Sequence, residues 1–229
     1  MLYLCCTIEV LKFKSINKYS YLQALRRYIQ VSYNIMNNTF QKINELIAIE
    51  SENLTEFNDV YEYEKCLLHI ERIIDSSIIL FKNSLYQQSI FLTITAFEET
   101  TKAEICIYRG LSKNKQTVKR NKDGLFNHKI KHITVANDIT FNYLKTEKIY
   151  GKEKIQEILE NLKSGKFIEI RENSLYFKNI GGKCVISDEF INEENSKLLL
   201  MICIEVFEDR LFGAYERTDI ITDRVLENY

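Results

Sequence analysis

The segment from Tyr86 to Arg109, YQQSIFLTITAFEETTKAEICIYR, constrains the fold most, because it is apolar on two faces and still carries acidic residues. At about 100° per residue, its large apolar side chains fall along one stripe, and Glu98 lies among them. That stripe consists of Ile90, Ile94, Phe97, Ile105 and Tyr108. The opposite stripe has smaller residues, namely Leu92, Ala96, Ala103 and Ile107. We therefore expect a central helix that is packed on both flanks.

The same helix places two carboxylates and a lysine at the edge of the predicted core. Lys102 follows Glu98 by four residues, which is a favourable orientation for a helical ion pair. Glu99 and Lys102 share the margin of the main stripe, whereas Glu98 points towards the core. The Glu-Glu-x-x-Lys sequence is therefore a candidate functional site.

Composition favours a mainly helical protein. The 229 residues include no proline and only seven glycines, so long segments have no helix breaker. With 31 basic and 32 acidic residues the formal charge is −1, and any RNA site must be a local patch. Six cysteines without a CxxC pair indicate free thiols in a reducing cytosol rather than a disulfide framework or a structural zinc site.

Neither the first residues nor any apolar run predicts secretion or membrane insertion. The opening MLYLCCTIEV has no basic n-region and reaches Glu9 early, and the apolar run from Leu198 to Ile204 is too short to span a bilayer. We expect a cytoplasmic protein with no membrane partner, no metal and no cofactor.

Apolar residues at steps of three and four predict further helices on both sides of the central one. These cover residues 19–49, 60–83, 127–145, 152–163 and 193–214. Segment 60–83 forms an antiparallel helical hairpin with the central helix. Alternation in FIEIRENSLYFKN, with a turn at Glu172-Asn173, predicts a β-hairpin, and residues 185–187 after Gly181-Gly182 form a possible third strand.

Together these segments predict an antiparallel helical bundle with a β-hairpin insertion at about residues 166–188. The helical domain covers residues 59–215, after an N-terminal arm and helical extension at 1–58 and before a tail at 216–229. The apolar faces of helices 19–49 and 193–214 exceed what one small bundle needs, which indicates a homodimer.

Basic residues and histidines follow the central helix. Residues 110–127 form an exposed loop whose lysines and arginine either are simply solvated or guide an RNA strand. The basic residues are Lys113, Lys115, Lys119, Arg120 and Lys122. The next helix places His128 and His132 on its interior stripe, together with Val135, Ile139 and Tyr143.

These residue types suit RNA cleavage without a metal, which requires a base, an acid and a cation beside the phosphate. The candidates for proton transfer are Glu98, Glu99 and His128. The candidates for substrate binding are Lys102, Lys129, Lys131 and Arg120. Because Glu98 and His128 each lie on an apolar stripe, we expect the two side chains to meet between their helices.

Two other interpretations of the same residues remain open. In the first, Glu98 pairs with Lys102 or His128 in a buried polar network that only joins two core helices. In the second, His128 and His132, spaced as i and i+4, bind a metal with Glu98 or Glu99 as a third ligand.

The order of ITAFEETTKAE, a basic loop, FNHKIKH, RENSLYF and a last helix resembles the AbiV family of bacterial abortive-infection proteins, in the HEPN superfamily, over about residues 60–212. The resemblance implies a helical HEPN bundle with a small β insertion, in a phage-defence protein that arrests translation or growth. Many HEPN proteins are dimeric, metal-independent ribonucleases with Arg, four to six residues, then His. Here the nearest counterpart is Arg120, eight positions before His128.

Two functions of different class follow from the resemblance. One is a growth-arresting toxin that cleaves RNA of the translation apparatus; the other is a non-catalytic module that blocks translation by binding a phage or ribosomal partner. A phage-encoded protein could act as activator. If Lys102 and Lys131 hold phosphate, alanine at either position should abolish growth arrest and leave the fold intact, because both are expected to be partly exposed.

Overall fold

The computed structural model describes residues 43–51, 57, 60–112, 115–136, 145–185 and 191–211, and most of this structure is helical. Residues 43–48 form a helical turn that leads into strand β1. The other helices are α1 (Val60–Lys82), α2 (Tyr86–Leu111), α3 (His128–Val135), α4 (Glu147–Tyr150), α5 (Lys152–Ser164), α6 (Lys166–Asn173) and α7 (Glu193–Leu211). The strands are β1 (Ile49–Ser51), β2 (Gln116–Val118), β3 (Lys178–Ile180) and β4 (Lys183–Val185). The predicted mainly helical fold is confirmed.

Helices α1 and α2 form the expected hairpin at the centre of the fold. Leu67, Ile70 and Ile74 of α1 recur at helical spacing and are fully buried against α2. A three-residue turn with Ser84 at a positive φ of 60° connects the helices. Where they face each other, the Ser77 hydroxyl donates to the Ser89 carbonyl at 2.9 Å and lies 2.8 Å from the Thr93 hydroxyl, so these buried polar groups are paired.

Helix α7 packs on the other flank of α2, which confirms that the central helix is packed on both sides. The hydroxyl of Ser196 reaches that of Ser89 at 3.4 Å, and the Cys203 thiol reaches the Thr93 carbonyl at 3.6 Å. Most large apolar residues of α7 from Leu198 to Leu211 are buried, with Met201 partly exposed, whereas Lys197 and Asp209 of the same helix are exposed. Its apolar surface, one of the two grounds for expecting a homodimer, is therefore covered within the chain.

Helix α3 crosses α2 after a short loop. The Asn127 side chain accepts a hydrogen bond from the Ile130 amide at 3.2 Å, so it caps the first turn. The prediction of a helix to residue 145 is too long, because α3 ends at Val135 and Ala136 closes it by bonding back to the His132 carbonyl. Ile139 and Tyr143 lie outside the described residues.

The β-hairpin predicted for FIEIRENSLYFKN, residues 167–179, is wrong in its first half. Residues FIEIREN form helix α6, in which Phe167 and Ile170 occupy one face at i and i+3 and are fully buried. Gly165 separates α5 from α6 with a φ of +87°, a conformation that glycine adopts without strain. The sequence FIEIR alternates, but it also fits this helical spacing, and the glycine decides between the two.

A β-hairpin does exist, further along the chain. Strands β3 and β4 pair antiparallel, with Ile180 opposite Lys183. The turn is at Gly181-Gly182, both with positive φ as tight two-residue hairpin turns require, and not at Glu172-Asn173. The predicted third strand at 185–187 is replaced by β4, which ends at Val185; residues 186–187 are outside the described part.

The segment after α2 is pinned to the domain by a buried ion pair. Arg109 donates to both carboxylate oxygens of Asp123 at 2.9 and 2.8 Å and to the Leu46 carbonyl at 2.9 Å. Nearby, β2 pairs in parallel with β1. The predicted exposure is confirmed for Lys119, Arg120 and Lys122, whereas Lys115 is only partly exposed and Lys113 lies outside the described residues.

The described residues do not test the predicted domain boundaries. Residues 1–42, with most of the predicted helix 19–49, and residues 212–229, with the predicted tail, lie outside them. Within the described ranges, no helix combines the length and apolar character needed to cross a membrane.

Candidate functional site

The Glu98 carboxylate gathers side chains from three helices into one cluster. Its Oε2 atom lies 2.7 Å from Lys131 Nζ and 2.7 Å from His128 Nδ1, and its Oε1 atom lies 3.0 Å from His132 Nε2. Arg171 Nη1 from α6 is 3.6 Å from Oε1. The expected meeting of Glu98 and His128 is confirmed. We call these five residues the Glu98 cluster.

Helical spacing explains why α3 can supply three partners to one carboxylate. His128, Lys131 and His132 are at i, i+3 and i+4, which places them on one face of a helix. That face meets α2 where the Thr101 hydroxyl, 3.1 Å from its own helix's Phe97 carbonyl, also approaches the Lys131 carbonyl. The two helices are therefore held by backbone and side-chain contacts together.

The cluster keeps Glu98 ionised. Burial alone would raise the pKa of this carboxyl, since its side chain is only 4% exposed. Hydrogen bonds from His132 and Lys131, and the positive charges of Lys131 and Arg171, outweigh burial and lower the pKa to about 2. A carboxyl with that pKa does not donate or accept protons near neutral pH, so Glu98 holds its neighbours in place instead of acting as acid or base.

The tautomer of His128 follows from its contact with Glu98. An ionised carboxylate only accepts hydrogen bonds, so the His128 nitrogen at 2.7 Å, Nδ1, must carry a hydrogen. The second nitrogen, Nε2, is then the one that can accept or release a proton. The His128 side chain is 44% exposed, so a ligand can approach it.

His132 has a different role, because it is fully buried. Its Nε2 donates to Glu98, and its Nδ1 atom is buried without a hydrogen-bond partner. A second hydrogen on Nδ1 would leave a buried donor unpaired, which costs more than an unpaired lone pair on a neutral ring. We therefore describe His132 as a neutral support for the carboxylate, out of reach of solvent.

Arg171 is the site residue that sequence reasoning missed. Its Nη1 atom lies 3.2 Å from His128 Nδ1, its guanidinium stacks 5.3 Å from the centre of the Phe91 ring, and its side chain is 23% exposed. Because Nδ1 already carries a hydrogen, this contact is not a hydrogen bond, and Glu98 is the anion that holds the guanidinium there. A helical interpretation of 166–173 would have placed Arg171 beside buried Ile170, at the margin of the core.

The cluster carries an excess of positive charge. Lys131 and Arg171 contribute two positive charges and Glu98 one negative charge, before any charge on the histidines is counted. Lys131 is buried, but His128 and Arg171 reach the surface. The exposed end of the cluster can therefore attract an anion.

The other predicted site residues lie apart from the cluster or differ from expectation. Lys102 donates to Glu99 at 2.9 Å, so this pair forms instead of the pairing with Glu98. Lys129 is exposed, and its side chain lies beside Gly165. Its methylene carbons are about 3.6 Å from the position that a Cβ atom on Gly165 would occupy. Arg120 covers the Phe126 ring at 4.3 Å. Lys131 was expected to be partly exposed, and this is wrong: it is 6% exposed.

The interpretation as a metal site receives no geometric support. Among the residues that the structure describes, no group of three or more histidine, cysteine, aspartate and glutamate side chains is arranged to hold a metal ion. In the Glu98 cluster, the carboxylate oxygens are already bonded to a lysine and two histidines.

The fold and the cluster together define a helical protein of the HEPN type. The family model for HEPN AbiV proteins, described as AbiV, matches residues 62–206, which is more than half of the chain. The chain therefore belongs to the AbiV family, and membership associates it with abortive-infection defence against phage. Comparison with curated proteins and with solved structures gave no match.

Proposed function

We propose that this AbiV protein arrests translation or growth of the infected cell by cleaving RNA without a metal, at the exposed end of the Glu98 cluster. The observation that supports this most is the pairing of His128 with Arg171 above a buried, ionised Glu98. This pairing places the fixed imidazole of His128 and the cation of Arg171 side by side at a surface that an anionic ligand can reach.

In this proposal the phosphodiester binds beside Arg171. The guanidinium would meet the phosphate oxygens and stabilise the charge that develops on them during displacement. Lys131 contributes to the field from within the core, because its Nζ is bound to Glu98. Lys102 and Lys129 have no part in this contact, although the exposed Lys119, Arg120 and Lys122 can attract RNA from a distance.

His128 is the base. Its Nδ1 hydrogen is held by Glu98, which fixes the ring and directs Nε2 to the proton of the ribose 2′-hydroxyl. The 2′-oxygen attacks phosphorus, the bond to the 5′-oxygen breaks, and water protonates that oxygen. The products are a 2′,3′-cyclic phosphate and a 5′-hydroxyl end. Glu98 keeps its charge throughout, as its lowered pKa requires.

The direct test incubates the pure protein with total RNA in EDTA and maps the ends that form. We expect discrete cuts with cyclic phosphate ends, lost in His128→Ala and strongly reduced in Arg171→Met. Lys197→Ala, which removes an exposed lysine of α7 outside the cluster, is the matched control and should cut normally. Intact RNA with wild-type protein that still stops a cell-free translation extract would contradict cleavage.

The second candidate function is a module that blocks translation by occupying a phage or ribosomal partner. One observation favours it: Glu98, Lys131 and His132 are all buried, and Glu98 is bonded to both of the others, as expected for a network that only joins helices. The two functions are separated by adding increasing amounts of the protein to a cell-free translation extract and measuring how many ribosomes each molecule inactivates. Cleavage inactivates many ribosomes per protein molecule, whereas occupancy needs about one protein molecule per target.

The oligomeric state is a further part of the proposal. We retain a homodimer as the expected form, although the described part of α7 no longer supports it. Light scattering at micromolar concentration should give about twice the 27.1 kDa mass of one chain. A mass near one chain would contradict the dimer and leave the cleavage proposal unaffected. A phage-encoded activator remains a proposed partner, to be sought by comparing growth arrest with and without infection.

A further inference from the structure

Three consecutive large apolar residues, Leu175, Tyr176 and Phe177, are exposed directly after the helix that carries Arg171. Their exposed fractions are 45%, 67% and 72%. The other large apolar residues that are exposed within the described ranges, Tyr61, Ile79, Leu85 and Ile149, occur singly. Contiguous exposed apolar residues mark contact surfaces more often than scattered ones do. We call these three residues the aromatic strip.

The backbone of the aromatic strip is fixed, so its side chains are presented in a defined place. The amides of Leu175 and Tyr176 both donate to the Glu172 carbonyl, at 3.2 and 3.0 Å. Just before them, the buried Ser174 donates through its amide and its hydroxyl to the Ile170 carbonyl, at 2.9 and 2.7 Å. Tyr176 follows Arg171 by five residues, which is about 7–8 Å at the rise of a helix.

The strip is not explained by the fold. The alternating sequence predicts a strand at Leu175–Phe177. These residues instead precede β3, and they pair with no strand among those described. Phe167 and Ile170 of α6 are fully buried in the core, whereas the three side chains of the aromatic strip are exposed. A ligand that covers aromatic rings would account for the exposure.

The charge around the strip favours a polyanion. Residues 166–183 contain four basic side chains, Lys166, Arg171, Lys178 and Lys183, and two acidic ones, Glu169 and Glu172. Lys178 lies 3.6 Å from Glu169, which leaves the rest of the segment positive, and Lys183 at the hairpin is exposed. Exposed aromatic rings among cations are the combination with which proteins hold unpaired nucleic acid, by stacking on bases and neutralising phosphates.

We propose that Tyr176 and Phe177 stack on unpaired bases next to the phosphate that Arg171 holds, so that the substrate of the site is single-stranded RNA. This inference rests on the proposed function, because it places the strand relative to Arg171 and His128. A base-paired RNA cannot offer its base faces to the strip, so the strip selects for loops and single strands.

The experiment measures binding by fluorescence anisotropy with a labelled twelve-nucleotide RNA that carries 2′-O-methyl groups and cannot be cut. We expect Tyr176→Ala and Phe177→Ala each to weaken binding by about 5- to 150-fold. Tyr176→Leu should be as weak as Tyr176→Ala, whereas Tyr176→Phe should bind within about twofold of wild type, because stacking needs a ring. The same strand annealed to its complement should bind more weakly than the single strand.

The matched control is Tyr61→Leu, which removes an equally exposed ring, 63% exposed, from α1. It should not change RNA binding. All variants alter exposed side chains and should melt like wild type, within about 0.5 kcal/mol of unfolding free energy. If Tyr176→Leu binds RNA as wild type does, stacking is wrong. If alanine variants keep full RNA affinity but lose growth arrest, the strip contacts a protein and the inference is overturned.

Failure of this inference is distinguishable from failure of the proposed cleavage. Wild-type protein that cuts unmodified RNA, with strip variants that bind and cut normally, would refute the strip and leave cleavage standing. Wild-type protein that binds the blocked strand through Tyr176 and Phe177 but cuts no RNA would support the strip and refute cleavage.

Discussion

Replacing Glu98 by glutamine tests whether the cluster is organised by one buried charge. The pKa of Glu98 is about 2 in the fold against 4.5 for an ordinary glutamate. At about 1.4 kcal/mol per tenfold change in proton affinity, the charge contributes roughly 3 kcal/mol to stability at neutral pH. Removing one partner of a buried ion pair costs a comparable amount, about 3–5 kcal/mol, because Lys131 stays charged and buried.

The pH dependence has a definite sign. Because the pKa of Glu98 is lower in the folded than in the unfolded state, its contribution is complete above about pH 4.5 and is lost as the pH falls towards 2. By pH 3 the advantage of wild type over Glu98→Gln should have shrunk by roughly 2 kcal/mol. Urea unfolding followed by circular dichroism at pH 7 and pH 3 measures both differences.

A double variant provides the control. In Glu98→Gln with Lys131→Met neither charge remains, so the loss of stability should be smaller than the sum of the two single losses by at least about 1 kcal/mol. Additive losses, or a Glu98→Gln variant that unfolds at the wild-type urea concentration at pH 7, would refute the view that the carboxylate organises the cluster.

Other consequences of the structure are equally direct. Lys102→Ala should change the unfolding free energy by less than about 1 kcal/mol in urea unfolding, because its ion pair with Glu99 lies at the surface. Gly165→Ala should lower the free energy of unfolding by about 1–2 kcal/mol, since the φ of Gly165 is +87°. Gly110→Ala in helix α2 should not lower it. Calorimetry that finds the two variants equally stable would contradict this. Burial raises the pKa of the Cys106 thiol to about 12, so peptide mapping after iodoacetamide at pH 8 should show exposed Cys184 alkylated and Cys106 protected; rapid labelling of Cys106 would contradict its burial.

The long helices could be predicted from the sequence because their periodicity extends over many turns. Helix α1 was expected at 60–83 and is Val60–Lys82; α2 was expected to end at Arg109 and ends at Leu111. The same periodicity placed Glu98 and His128 on facing stripes, and these residues do meet. Over the eight residues of α6 periodicity does not distinguish the two structures, because FIEIREN fits a strand and a helix equally well until Gly165 is considered.

The remaining contacts join residues that no local pattern connects. Arg171 is 73 residues from Glu98, and nothing near either one specifies the other. The buried pair of Arg109 and Asp123 joins the end of a helix to a loop that looked merely basic and solvated. Arg210 of α7 is buried, and its partner is Glu104 at 2.9 Å, more than a hundred residues away. Such pairs depend on how helices stack, which periodicity does not report.

The span of the Glu98 cluster along the chain has a consequence during synthesis. Glu98 is made first, His128, Lys131 and His132 follow about thirty residues later, and Arg171 comes last. A ribosome that has not yet released α6 from its exit tunnel therefore carries a chain whose carboxylate has no guanidinium beside it. Under the proposed mechanism, the chain gains the guanidinium that binds phosphate only after α6 has left the ribosome.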